Sequence, residues 1–303
     1  MSVIGVRFLI SDRGRCACQI SSGTITVVTQ SHTFFADVDH NSAAKRSHAI
    51  RYLDGAAANQ EMQRLRAAAY QIFAPTAHDR LLDAGCGLGE VARQLGAAVG
   101  NHGSVVALDR SAEMISIARS RHNGTPVTYQ VGDITSLEFP DGHFSGVRSE
   151  RVLQHLADPD AAIRELARVT RPGGRVCVID TDWSSLVHHG IDGMDHFLDR
   201  LQFTRRIGKS HSGRMVRARM VKAGLDTVDT FPLTLRFTTP EQAAAVVILF
   251  DPEEALASGL VPADVYGEFW AAVTEAAERN EFLIAFTMWI SQGRVPSQKR
   301  LSA

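Results

Sequence analysis

Apolar positions along this chain recur in two rhythms, and the changes from one to the other outline an architecture. Between Asn59 and Phe73, Met62, Leu65, Ala69, Ile72 and Phe73 fall on one helical stripe, which Pro75 ends. Short, nearly continuous apolar runs follow near residues 80–84, 104–108, 127–131, 144–148 and 174–180, each the length of a strand covered on both faces. Stretches near 89–99, 111–121, 151–154 and 159–170 separate them and predict helices. This alternation predicts a doubly wound α/β fold, a parallel sheet with helices on both faces.

The ends of the chain depart from that rhythm. Residues 1 to about 45 carry short β-prone runs, Arg7 to Ile10, Cys16 to Ile20, Thr24 to Gln30 and Thr33 to Val38, separated by Gly, Ser and Asp. They suit a small meander, a dimer arm or an extension with no part in the chemistry. From Trp183 to about Arg219 the pattern predicts a helical insertion rich in aromatics and histidines. Two strands are expected near 225–231 and 233–238, and helices from about 240 to 290 carrying Phe250, Tyr266, Phe269, Trp270, Phe282, Phe286 and Trp289. The resulting division is an N-terminal extension over 1–45 and one large domain over 46–303.

Candidate chemistry clusters where the first strands end. Leu81-Leu82-Asp83-Ala84-Gly85-Cys86-Gly87-Leu88-Gly89-Glu90 reads as a strand, a glycine turn and a helix start. Such a turn lets a ligand approach backbone that a side chain would block, and the new helix offers N–H groups. Asp109 ends the second strand, twenty positions beyond Gly89, where an acid meets the hydroxyls of a ribose. Gly132-Asp133-Ile134 ends the third, placing an acid where it accepts from an adenine amino group. The dinucleotide fingerprint is G-x-G-x-x-G, whereas Gly85, Gly87 and Gly89 make G-x-G-x-G. Asp83, just before the turn, would repel a pyrophosphate but suits a ligand with an ammonium group.

These residues resemble the class I S-adenosylmethionine-dependent methyltransferases, and most nearly the branch related to ubiquinone/menaquinone-biosynthesis enzymes. The resemblance rests on LLDAGCGLGE, VVALDRSAEM, VGDITSLEFPDGHFSGVRSERVLQHLADP and RVTRPGGRVCVIDTDW, in that order between Leu81 and Trp183. It continues more weakly from Tyr52 to about Pro296 and does not cover the first forty or so residues. It implies a seven-stranded, mostly parallel Rossmann-like sheet, closed by a hairpin near 225–238, with a helical lid near 183–219. S-adenosylmethionine is the implied cofactor, held by Asp83, Gly85, Cys86, Gly87, Gly89, Asp109, Arg110, Met114, Asp133, Ile134, Arg148 and Ser149. Glu150 and His155, which line the implied substrate mouth, are the expected catalytic residues, and His155 is a reasonable general base because an imidazole titrates near neutrality. Trp183, His188, Phe197 and Phe286 are the expected acceptor-binding residues. The acceptor is expected to be a small cyclic or aromatic molecule, methylated on carbon, oxygen or nitrogen.

Composition narrows the alternatives. A formal net charge of −1 gives no global reason to bind nucleic acid or an anionic membrane. Arg205, Arg206 and Lys209, and Arg214, Arg217 and Arg219, read as solvated helix faces. Four cysteines without framework spacing imply neither disulfide dependence nor a zinc site. No apolar run is long enough to span a bilayer and the start lacks signal-peptide character, so the cytoplasm is the default. A homodimer is left open. A nicotinamide oxidoreductase is disfavoured by the missing third glycine and the extra acids. A nucleic-acid methyltransferase lacks its Asn/Asp-Pro-Pro-aromatic segment, because Ser149-Glu150-Arg151 stands in that place. A non-catalytic cofactor-binding scaffold is the remaining alternative.

Overall fold

The computed structural model describes residues 8–10, 16–20, 23–25, 38–40, 42–201, 210–257 and 261–297. The chain divides into two compact units, Met1–His32 and Thr33–Ala303. In the first, β1 (Phe8–Ile10), β2 (Cys16–Ile20) and β3 (Gly23–Ile25) pair antiparallel in the order β1-β2-β3, the small meander among the expected outcomes. The run expected from Thr33 lies outside the described residues up to its last member, Val38, which opens a 3-10 turn, Val38–His40.

The second unit opens with α1 (Ala43–Ala58) and α2 (Gln60–Phe73). Asn59 caps α2, its side chain accepting from the amides of Glu61 and Met62, and the predicted stripe buries Met62, Leu65, Ala69 and Phe73. Next come β4 (Arg80–Ala84), α3 (Glu90–Val99), β5 (Ser104–Asp109), α4 (Ala112–Ser120), β6 (Val127–Val131), β7 (Phe144–Glu150), α5 (Pro159–Val169) and β8 (Thr170–His189). The chain ends with α6 (Met194–Leu201), α7 (Ser212–Lys222), β9 (Asp226–Phe237), α8 (Pro240–Ala244), α9 (Pro252–Ala257), α10 (Ala263–Glu278) and β10 (Leu283–Arg294). The sheet has seven strands in the order β6-β5-β4-β7-β8-β10-β9. β10 runs antiparallel to both its neighbours, while the pairs from β6 to β8 are all parallel.

Period-two alternation sorts the core into a layer on each face of the sheet. Leu81, Cys177 and Ile179 pack in a cluster with α2 and α3, whereas their neighbours Leu82, Val176 and Val178 pack in another with α5 and α7. Strand order reverses on either side of β4, so the loops leaving β4 and β7 part there. That opens a crevice at the carboxyl ends of the strands.

Three elements differ from expectation. The helix predicted near 151–154 is only a 3-10 turn, Leu153–His155. The insertion expected from Trp183 begins instead as strand: β8 continues to His189 because His188, Val187 and Asp182 pair with Ile284, Ala285 and Thr287. Its helical part starts only at Met194. Finally, 283–294 is a strand where helix was expected, and the predicted hairpin at 225–238 is one edge strand, β9, paired with it. Pro232 is tolerated in β9 because an edge strand leaves one row of amides unpaired. Arg205, Arg206 and Lys209 lie outside the described residues.

Candidate functional site

The crevice is a cavity of about 520 Å³. It brings together Asp83, Gly85, Cys86 and Gly87 from the end of β4 and the following turn, with Asp109, Arg110 and Met114 after β5. Asp133 and Ile134 join from beyond β6, and Arg148, Glu150 and His155 from β7 and the turn behind it. All were singled out from sequence.

The turn is built on closed hydrogen bonds. The amides of Gly85 and Cys86 both donate to the Leu108 carbonyl (2.7 and 2.9 Å), that of Gly87 to Asp109 Oδ2 (2.8 Å), and that of Gly89 to the Cys86 carbonyl (2.9 Å). The amides of the turn itself are therefore engaged within the protein, and the N–H groups expected to face a ligand are those of the helix start that follows, which has no side-chain cap. What the glycines supply is space: Gly85 has φ +82°, and a Cβ there would lie 2.1 Å from Val152 Cγ2. Gly89 does not line the cavity. A Cβ at Gly89 would press on Tyr129 Cε1 at 2.8 Å and Ala118 Cβ at 3.2 Å, so its role is to seat α3 against its neighbours.

The acids differ in how they are held. Asp83 is almost wholly buried, its Oδ2 has no hydrogen-bond partner, and burial pushes its carboxyl up to about 6 despite the Arg148 guanidinium. Asp109 accepts from the amides of Gly87 and Ser111 (2.8 and 2.9 Å), and burial raises it above the usual carboxylate range against the pull of those donors. Asp133 holds the amide and hydroxyl of Thr135 through Oδ1, both at 2.7 Å. Burial raises the Cys86 thiol well above its ordinary value, which leaves it protonated and unreactive.

The two expected catalytic residues both line the cavity and are held in different ways. Glu150 accepts from Arg66 Nε (2.9 Å) and Arg148 (2.6 Å), and these two cations hold its carboxyl down at about 2 against burial. His155 lines the cavity, but burial and the neighbouring Arg151 push its imidazole down to about 3. Both keep the deprotonated form throughout the neutral range, and both are weak proton acceptors there.

Several other expected residues do not reach the cavity. Alternation along β7 carries Ser149 to the face opposite Arg148 and Glu150, fully buried beside Val178. Trp183 donates its indole N–H to Gln154 (3.0 Å) and packs on Phe286, which is core. Phe197 stacks on Phe269 with ring centroids 4.0 Å apart, and His188 pairs with Asp195 (2.9 Å). The aromatic stripe of the insertion and tail thus fills the hydrophobic core between β8, β10 and the last helices.

Sequence reasoning missed the contribution of the N-terminal helices. Val38, Tyr52, Leu53 and Asp54 line the cavity, as does Arg66 of α2. Asp39 caps α4 by accepting from the amide of Ala112 (2.7 Å) and from the Ser111 hydroxyl. An extension boundary at residue 45 would therefore cut through the site. Arg151 was also overlooked. Its φ of +59° is rare for a non-glycine residue, and local sequence carries no signal for it.

A methyltransferase-domain family profile matches residues 82–178. Over 175 residues, 52% of this chain and 68% of the relative, the sequence is 31% identical to the ubiquinone/menaquinone biosynthesis C-methyltransferase UbiE of Pseudomonas paraeruginosa. The chain belongs to the class I S-adenosylmethionine-dependent methyltransferases of this type. It is also 36% identical over 106 residues to a 2-phytyl-1,4-naphtoquinone methyltransferase of Synechococcus elongatus, a match over 34% of this chain and less than half (46%) of that relative. The fold matches phosphoethanolamine N-methyltransferase 2 of Haemonchus contortus, solved with S-adenosylhomocysteine, with a TM-score of 0.56 and 19% identity. That alignment covers 90% of this chain and 62% of the other. The methyltransferase is thus S-adenosylmethionine-dependent, and among its described residues no helix is long and apolar enough to cross a membrane.

For this methyltransferase, Asp109→Ala is expected to weaken S-adenosylhomocysteine binding by about 1.5–3 kcal/mol. The substitution also strands the amides of Gly87 and Ser111, so the melting temperature should fall as well, which the sequence alone did not anticipate. Calorimetry and thermal melts check both, and an unchanged dissociation constant would place the ribose elsewhere.

Proposed function

We propose that this methyltransferase transfers a methyl group to a small cyclic or aromatic acceptor of the quinol kind. The observation that carries the reading is the make-up of the cavity. It combines the buried acids with apolar Leu53, Ala56, Val152, Leu156 and Ala161 and the Tyr52 side chain, in a volume within the range of small-molecule sites. The quinone-methylating relatives support it. The residues fit the cofactor: Asp83 Oδ2, buried and without a partner, suits the methionine ammonium, and Asp109 suits the ribose hydroxyls. Asp133 and Ile134, with Met114, suit the adenine. When bound, the cofactor supplies a methyl group already activated on a sulfonium.

The work left to this chain is alignment and exclusion of water, since the displacement is in line at an activated carbon. Arg66 and Arg148 lock Glu150 as an anion, and burial with Arg151 keeps His155 neutral, so both are weak proton acceptors towards a bound acceptor. The site therefore suits a nucleophile that is ionised on binding or needs no deprotonation.

The purified protein is expected to bind S-adenosylmethionine and S-adenosylhomocysteine by calorimetry, and NAD or NADP far more weakly. With tritium-labelled methyl donor, label should pass to reduced naphthoquinones, phenols or indoles in a screen that includes acyclic alcohols, thiols and amines. Transfer confined to the acyclic compounds would overturn the cyclic-acceptor reading.

A further inference from the structure

We propose that Arg151, held in place by Tyr52, forms an oxyanion subsite that selects acceptors bearing a carboxylate or an ionised hydroxyl. The inference rests on the reading that the acceptor is a small cyclic molecule in this cavity. Among the cavity cations, Arg66 and Arg148 are paired with Glu150, Arg121 with Asp54, and Arg110 is engaged as well. Arg151 has no carboxylate within ion-pair distance among the described residues. The acids nearest in charge, Glu150 and Asp180, are already held. Glu150 is bound by its two arginines, and Asp180 accepts from Ser212 Oγ (2.6 Å) and from the amides of Gln154 (2.9 Å) and Thr181 (3.0 Å).

The Arg151 guanidinium carries five N–H donors. One bond goes to the Tyr52 hydroxyl, which in turn donates to the Val246 carbonyl (2.5 Å). The cation lies over the Tyr52 ring, 5.3 Å from its centroid. No other hydrogen bond ties the guanidinium to the described residues, so its remaining donors are left to whatever occupies the cavity.

The backbone shows that this placement is imposed. Arg151 sits in the left-handed region, its amide donating to the Ile179 carbonyl (2.8 Å), and an arginine there is held against its own preference. The next residue, Val152, abuts the Gly85 turn, and Arg148 three residues earlier pairs in register with Asp83. Arg151 therefore stands at the Asp83 end of the cavity, the end proposed for the methionine moiety. An acceptor oxyanion there would be fixed beside the reacting methyl group, and the preference for the ionised form would lessen the need for a base.

The test uses the full chain saturated with S-adenosylhomocysteine, and calorimetry with 1-hydroxy-2-naphthoate, its amide, hexanoate and hexanamide. The naphthoate is expected to bind at least about tenfold more tightly than its amide, as a charge-assisted bond requires. In Arg151→Met the ratio should fall to about one, and a loss of S-adenosylhomocysteine affinity with the acid-to-amide ratio intact would give the cation to the cofactor's own carboxylate and overturn the assignment. Arg151→Lys should keep part of the preference, and if the methionine variant does not fold, the wild-type ratio and the lysine variant carry the test. Equal binding of acid and amide, no binding of any acid, or a preference that survives in Arg151→Met overturns the assignment. Hexanoate binding as tightly as the naphthoate would instead overturn the cyclic-acceptor reading and leave the oxyanion subsite standing.

Discussion

Asp83→Asn is expected to stabilise the cofactor-free methyltransferase while weakening its hold on the cofactor. Burial pushes the Asp83 carboxyl up to about 6, and one of its oxygens has no hydrogen-bond partner. Because the folded-state value lies above that of the unfolded chain, the ionised group opposes folding. The opposition begins as pH rises through the unfolded value near 4 and is complete above about 6, where it amounts to about 3 kcal/mol at most. Asparagine keeps the shape without the charge, and Arg148 retains Glu150. At pH 7.5 the variant should gain about 1–3 kcal/mol in a urea titration, and the gain should vanish towards pH 4.

Binding should move the other way. Loss of a carboxylate facing an ammonium should weaken S-adenosylhomocysteine binding by about 2 kcal/mol, roughly thirtyfold. Wild-type affinity should fall as pH drops below about 6, where Asp83 protonates, while that of the variant should change much less between pH 5 and 8. A variant that is less stable at pH 7.5 and binds as before would show that Asp83 is structural.

Gly85→Ala is expected to be the most damaging small substitution at the site. At φ +82° any L residue is strained by about 1–2 kcal/mol, and the new Cβ would lie 2.1 Å from Val152 Cγ2. Overpacking of that kind adds about 1–3 kcal/mol. Relief by moving the turn would break the hydrogen bonds of Gly85 and Cys86 to the Leu108 carbonyl, so cofactor affinity should fall at least about tenfold. Gly124→Ala separates the two costs, because its φ is +81° with nothing within 4 Å of a Cβ. Adding Val152→Ala to Gly85→Ala should recover part of the loss. Equal destabilisation by the two alanines would refute the steric account.

The strands β4 to β7 and the cavity acids at their ends were legible in the chain because the signals are local. A continuous apolar run followed by a glycine turn and an acid takes the same form wherever the parallel sheet places it. Trp183–His189 and Leu283–Arg294 were misread for the opposite reason. In 283–294 the even positions Ile284, Phe286, Met288 and Ile290 are buried, but Ala285 and Trp289 between them are apolar too. Short apolar runs of that kind suit helix or strand until a partner strand supplies the hydrogen bonds.

The sequence by itself determined the doubly wound core, the glycine turn and the set of acids, each written within a few consecutive residues. Only the tertiary structure decided what those acids can do. Arg66 lies 84 positions from Glu150, and Tyr52 lies 99 from Arg151. Which carboxyl is locked ionised, which is lifted towards neutrality and which cation is left for a ligand all depend on burial and on partners distant in the chain. Ionisation answers to the groups and the solvent within a few ångströms, and chain folding, not adjacency in sequence, sets that surrounding.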